Sequence, residues 1–163
     1  ERPLERFPVE MDIELDAFLP SEYIEDPDQR ILFYKRLADL TEAEELPRFA
    51  EELRDRYGRL PEAATNLILL KELRLLAEAS GVDKLSVRGA EASFRFREDR
   101  APSAETLKAL VKSVPAELSF QAAGREGLGI RLRASSGETL ESVGALLRAA
   151  SASDTFIVSH SVN

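Results

Sequence analysis

Residues 9–19, VEMDIELDAFL, set Val9, Met11, Ile13, Leu15 and Ala17 against Glu10, Asp12, Glu14 and Asp16. A period of two gives an extended chain one apolar and one acidic face, which predicts a strand half-buried against a core. The rhythm then turns helical. Asp26 and Pro27 supply an N-cap with proline at the first helical position, and Ile31, Phe33, Tyr34, Leu37, Ala38 and Leu40 form a broad stripe over about 27–40. Thr41 with Glu44 three residues later reads as a capping box opening a second helix that reaches Tyr57. Pro47 removes a backbone donor inside it, so the helix either kinks there or starts near Leu46, with 41–45 as a separate turn.

Gly58 ends the second helix and Pro61 sits just inside the start of a third. Leu67, Ile68, Leu69, Leu70, Leu73, Leu75, Leu76 and Ala77 lie almost all around that third helix, which stops at Gly81. A helix apolar on every side belongs in the centre, and we expect both halves of the domain to share it. Beyond Gly81 a weak repeat sets in. Leu85-Ser86-Val87, Phe94-Arg95-Phe96-Arg97 and Glu105-Thr106-Leu107 are echoed by Leu118-Ser119-Phe120, Ile130-Arg131-Leu132-Arg133 and Glu138-Thr139-Leu140, at offsets of 33, 36 and 33 residues. Two ββα units of this kind make a four-stranded, mainly antiparallel sheet with two helices on one face. The fold class expected is therefore α+β. An N-terminal strand and three helices (1–81) precede a ββα-ββα lobe (82–150), together one bilobed domain of residues 1–150. The tail, 151–163, has one β-like patch at Phe156-Ile157-Val158 and no clear place in either repeat.

Composition removes whole classes of chemistry. There is no cysteine, so no disulfide and no thiolate metal site, and the single histidine, His160, in a Ser-rich terminal segment reads as a surface residue. No phosphate-binding loop, dinucleotide fingerprint or G-x-S-x-G occurs, and Gly124, Gly127 and Gly129 read as hairpin glycines. We therefore expect no catalytic residues, no metal and no cofactor, and no enzymatic activity of this chain alone. With no run of eighteen apolar residues and no basic-then-apolar leader, neither a membrane span nor a signal peptide is expected, and a cytoplasmic address follows. The first residue is Glu rather than Met, and the expectation is a piece of a longer protein.

Charge is distributed unevenly. Residues 1–80 hold 20 Asp/Glu and 11 Lys/Arg, whereas residues 81–163 hold 10 and 11. An acidic half disfavours nucleic acid and suits a basic partner surface or plain solubility. In the second half Arg95, Arg97, Arg131 and Arg133 should project from the sheet face opposite Phe94, Phe96, Ile130 and Leu132. They are candidates for a phosphate-binding plate, but no aromatic is interleaved to stack on bases, and an ordinary solvated face is the preferred reading.

The stretch ELRDRYGRLP at 52–61 carries the other candidate. At about 100° per residue, Leu46, Phe49, Ala50, Leu53 and Tyr57 cluster within about 60° of one direction, whereas Glu52, Asp55 and Arg56 fall at about 240°, 180° and 280°. All three charges point outward, and Glu52 reaches both of the others as i+3 and i+4 neighbours. A solvated helix end and a partner surface both remain open on these grounds.

The same residues carry a resemblance. DRYG-x-LP at 55–61, preceded by EEL at 51–53 and by F-LPSEYI-DP--R--FYKRLA through residues 18–38, resembles the C-terminal domain of bacterial transcription-repair coupling factors (Mfd). The match runs over residues 8–85 and loosens beyond; Pro47 and the tail past 150 depart from the pattern. The resemblance implies a non-catalytic, autoinhibitory domain of an ATP-dependent DNA translocase that displaces stalled RNA polymerase and recruits nucleotide-excision repair. In that family the domain docks on the N-terminal module that would otherwise bind UvrA. The family's docking patch matches Glu52, Asp55 and Arg56; we expect the two carboxylates to pair with arginines of that module and Arg56 to pair with a carboxylate there or to brace Glu52. Contacts with UvrA and RNA polymerase would be indirect, with no membrane and no direct DNA contact. The alternatives are a module for another basic partner, or nucleic-acid contact through Arg95, Arg97, Arg131 and Arg133.

Overall fold

A computed structural model of the chain describes residues 7–123, 127–135 and 137–161. Ten elements follow in order: β1 (Glu10–Ile13), α1 (Pro27–Asp39), α2 (Leu46–Tyr57), α3 (Glu62–Ser80), β2 (Val82–Arg88), β3 (Glu91–Phe96), α4 (Ala104–Ser113), β4 (Glu117–Ala123), β5 (Gly127–Arg133) and α5 (Thr139–Ser161). Short 3-10 turns occupy Ala43–Glu45 and Glu98–Arg100. The chain divides into two compact units, Leu15–Leu75 and Glu1–Glu14 with Leu76–Asn163.

The second of these is built on one five-stranded sheet in the order β1-β2-β3-β5-β4, with β1 parallel to β2 and every other pair antiparallel. The α+β class and the two ββα units stand, β2-β3-α4 and β4-β5-α5. The repeat explains the strand order: β3 and β5 pair at the middle, with β2 and β4 outside them. Phe94 lies directly opposite Ile130, its own counterpart at the 36-residue offset, so a pseudo-twofold axis passes through that pair. The first offset is corrected by the register. Leu85 faces Phe94 but Leu118 faces Leu132, so the position equivalent to Leu85 is Phe120, opposite Ile130.

Three expectations change because β1 joins this sheet. The sheet has five strands rather than four, and β1 belongs with the second lobe instead of the helical first, which moves the expected 1–81 and 82–150 division. The strand is also shorter than 9–19. Its partner reverses direction at Gly89, where φ is +59°, so hydrogen bonding ends with Ile13 opposite Val87. The alternation of burial nevertheless continues from Val9 to Leu19, with each even-numbered residue exposed. At the other end, the backbone of residues 151–161 prolongs α5, so no strand forms at Phe156–Val158, and His160 lies on that helix. Gly127 and Gly129 belong to the β4–β5 hairpin as expected, standing within its second strand, and Gly124 lies outside the described residues.

One face of the sheet buries Leu85, Val87, Phe94, Phe96, Ile130 and Leu132. Helix α5 packs on β3, α4 packs on α5, and Leu110, Val143, Leu146 and Leu147 close this core. Ser103 caps α4, accepting from the amide of Thr106 at 3.2 Å. The Ser80 hydroxyl at the end of α3 lies 3.0 Å from the carbonyl of Leu147, tying that end to α5.

The unit Leu15–Leu75 has its own core of Leu19, Ile24, Phe33, Leu37, Leu46, Phe49, Leu53, Ala64 and Leu75. Asp26 caps α1 as expected, accepting from Asp28 N at 2.9 Å. Of the two readings left open at Pro47, the second holds: α2 starts at Leu46 with proline in its first turn, and Ala43–Glu45 is a separate turn. Pro61 stands just before α3, not inside it, its carbonyl accepting from Ala64 and Thr65 at 3.0 Å. Helix α3 is buried or half-buried at nearly every position, as its all-round apolar pattern requires.

Gly81 and Gly58 end α3 and α2 with φ of +81° and +88°. A Cβ at Gly81 would lie 2.3 Å from Cβ of Arg100, whereas one at Gly58 would meet open space. Gly58→Ala should therefore lose about 1–3 kcal/mol from backbone strain alone. Gly81→Ala should lose measurably more in urea denaturation at unchanged m, and equal losses would mean that the Arg100 turn yields freely.

Candidate functional site

Helix α2 buries Leu46, Phe49, Ala50 and Leu53 on one face. Phe33 from α1 meets Phe49 and Tyr57 edge-on, with centroids 5.9 and 5.8 Å apart, and Tyr23 packs on Tyr57 at 5.8 Å. The Tyr23 hydroxyl donates to the carbonyl of Gly58 at 2.8 Å, with the Leu53 carbonyl 3.1 Å away. Carbonyls at a helix end lack intrahelical partners, and this phenol supplies one. Burial pushes its pKa up. LPSEYI and DRYG are thus two halves of one contact. Leu19 N donates to the Tyr34 hydroxyl at 2.7 Å and Arg30 to the Ile24 carbonyl at 2.6 Å, fixing LPSEYI on α1 as well.

On this support stand the three charges, and they are not equivalent. Asp55 and Arg56 are exposed, but the Glu52 side chain is 35% accessible and hydrogen-bonded to the Arg36 guanidinium of α1. Arg56 approaches the other Glu52 oxygen at 3.9 Å, bracing it from the same helix. Both guanidinium groups lie over the aromatic cluster, Arg36 at 5.0 Å from the Phe33 centroid and Arg56 at 5.4 Å. The hydrogen bond from Arg36, more than the charge of either arginine, holds the Glu52 carboxyl below the usual glutamate range, and Glu52 in turn raises Arg36. Among the described residues Asp55 makes no ion pair. Arg36 was missed by the sequence reading, although FYKRLA places it in the last turn of α1. A helical wheel shows which way a side chain leaves its own helix, and says nothing of which helix lies beside it.

Three of the four arginines stand where expected, with Arg95, Arg131 and Arg133 exposed on the solvent side of the sheet, whereas Arg97 lies just past β3 with its side chain largely covered. Arg95 is bound to Asp83 at 2.7 Å, Arg133 to Glu91 at 2.8 Å, and Arg97 to Asp99 at 2.7 Å with its guanidinium 3.3 Å from the Phe7 ring centroid. Among the described residues Arg131 alone of the four makes no ion pair. Arg88 joins Asp12 at 2.8 Å on the same face. Among the described residues no cluster of three or more His, Cys, Asp or Glu side chains is placed to hold a metal, and no helix is long and apolar enough to cross a membrane.

Residues 13–107 match the TRCF domain, more than half of the chain and the whole of the α2 surface. The chain belongs to the TRCF domain family. Transcription-repair-coupling factors from Buchnera aphidicola and Escherichia coli are each 31% identical to it, over 108 and 106 residues, or 66% and 65% of this chain. That from Haemophilus influenzae is 38% identical over 85 residues. The TRCF chain spans only 13%, 9% and 7% of these relatives. A crystal structure of the C-terminal domain of transcription-repair coupling factor shares its fold, with a TM-score of 0.78 at 18% identity over 89% of this chain and 92% of that one.

Two measurements test the support of the α2 surface. Tyr23→Phe should lose about 1–1.5 kcal/mol in thermal unfolding, the value of a part-buried hydrogen bond. Glu52→Gln should cost about 0–1 kcal/mol at pH 7, because the pair is half-solvated. The folded-state pKa of Glu52 is depressed, so its contribution is complete above the unfolded value of about 4.3 and is lost as pH falls through the folded value. The acid limb of stability below about pH 5 should accordingly be shallower in the Gln variant. An unchanged limb would mean that Arg36 and Glu52 do not pair in solution.

Proposed function

We propose that this TRCF domain is a non-catalytic, autoinhibitory element of an ATP-dependent DNA translocase that couples transcription to nucleotide-excision repair. In this reading the outward face of α2 docks on the N-terminal UvrA-binding module of the same polypeptide and masks it. Engagement of RNA polymerase by the parent protein, in the cytoplasm, releases the mask. Membership of the TRCF family supports the setting. The observation that carries the mechanism is Asp55, an exposed carboxylate with no ion pair among the described residues, on a helix held rigid by the Tyr23, Phe33 and Tyr57 cluster.

Its neighbours divide the work. Asp55 meets an arginine of the module, and Arg56 is free enough to meet a carboxylate, since its own contact to Glu52 is 3.9 Å long. Glu52 contributes through the oxygen that Arg36 leaves open. Rim ion pairs of this kind are worth about 0–1 kcal/mol each, so a few of them hold a closed state that a competing partner can open.

The test uses the full-length protein. Asp55→Arg should raise UvrA affinity on the order of tenfold and raise basal translocation, with the domain's melting temperature unchanged. Glu52→Arg is a poor companion, because it would set a third cation beside Arg36 and Arg56 and loosen α1 from α2. Wild-type UvrA affinity in a folded Asp55→Arg protein would sink the assignment.

A further inference from the structure

On the flank of α2 away from Arg56, Ala50, Arg54, Arg59, Leu60, Thr65 and Ile68 line an open groove of about 400 Å³. From its register on α2, Arg54 lies about 80° from Leu46, beside the buried stripe and above Ala50 one turn earlier. Arg59 reaches the same groove because Gly58, at φ +88° and ψ −163°, turns the chain through a conformation that essentially only glycine adopts. The two cations thus converge by construction. Arg30 on the Ile24 carbonyl, Arg36 on Glu52 and Lys71 on the Ala38 carbonyl are engaged internally, whereas the exposed Lys35 and Arg48 make no ion pair among the described residues and lie outside the groove. Among the described residues neither Arg54 nor Arg59 makes an ion pair, although the first 80 residues hold 20 carboxylates.

We infer that this groove is a docking site for an acidic peptide segment that presents an apolar side chain between carboxylates. The apolar floor of Ala50, Leu60 and Ile68 takes the side chain, and the guanidinium groups at the rim take the carboxylates. A bare phosphate would use the cations and leave the floor wet. A basic or neutral peptide would leave the cations unmatched. The site is separate from the Asp55 face and does not depend on it.

The experiment is a titration of the 163-residue chain, followed by backbone amide NMR shifts, with an eight-residue peptide of alternating Leu and Glu. The controls are the Leu/Lys peptide of the same length and inorganic phosphate. The Leu/Glu peptide should shift the amides of Thr65 and Ile68 with a Kd on the order of 100 μM. Arg54→Glu with Arg59→Glu should weaken this at least about tenfold, and the milder Arg54→Gln with Arg59→Gln about threefold, with the far-UV spectrum unchanged in both. Binding that ignores both pairs of substitutions, equal binding of the Leu/Lys peptide, or phosphate producing the same shifts at the same concentration would each overturn the inference.

Discussion

Parallel pairing of β1 with β2 is the constraint on which the rest of the chain depends. Glu10 faces Lys84 and Ile13 faces Val87, so two neighbouring strands run in the same direction. Such neighbours cannot be joined by a hairpin; the chain must leave one end of the sheet and return at the other. In most folds a single helix makes that crossover. Here the connection is the whole unit Leu15–Leu75, with a core of its own. The candidate surface on α2 is therefore part of a crossover anchored at both ends by strand pairing. Closing such a connection carries an entropic cost that grows only slowly with its length, and a private core outweighs that cost easily.

What could be read in the sequence follows from the range of each force. The Asp26-Pro27 start, the glycine stops at 58 and 81 and the period-two face of residues 9–19 are local, and each appears where the residues put it. Pro47 left two readings, a kink or a later start; the chain takes the start at Leu46, where the first-turn proline needs no donor, and Phe49 then packs on Phe33. The position of β1 beside β2 depends on a pairing between distant segments, for which one sequence holds no signal. The repeat was visible, but its first offset was misjudged by two residues. A two-residue slip keeps every side chain on its face, so hydrophobic pattern alone cannot detect it.

The same distinction separates the two charged faces. On the sheet, strand registry places carboxylates beside arginines: Glu91 lies directly opposite Arg133, and Asp83 and Asp12 reach Arg95 and Arg88. The result is a solvated surface in which the positive field expected from the arginines is largely cancelled close by. On α2 the pairing is incomplete. Glu52 is satisfied by a residue sixteen positions earlier, while the exposed Asp55, one turn further along, makes no ion pair among the described residues.

This asymmetry bears on how a docking surface of this kind can be both specific and weak. Arg36, Glu52, Asp55 and Arg56 together carry no net charge, so the patch offers little long-range attraction despite the acidity of the first half of the chain. What it offers is geometry. Glu52 is already ionised and held in place by Arg36, so no side-chain entropy is lost when a partner meets it, but most of its attraction is already engaged. Asp55 is the reverse, free to give its full interaction and free to move. A partner that contacts both gains one ordered acceptor that fixes orientation and one mobile acceptor that adds energy. In the docking we propose, neither alone would hold a closed state, and the pair would hold it only as long as nothing better competed.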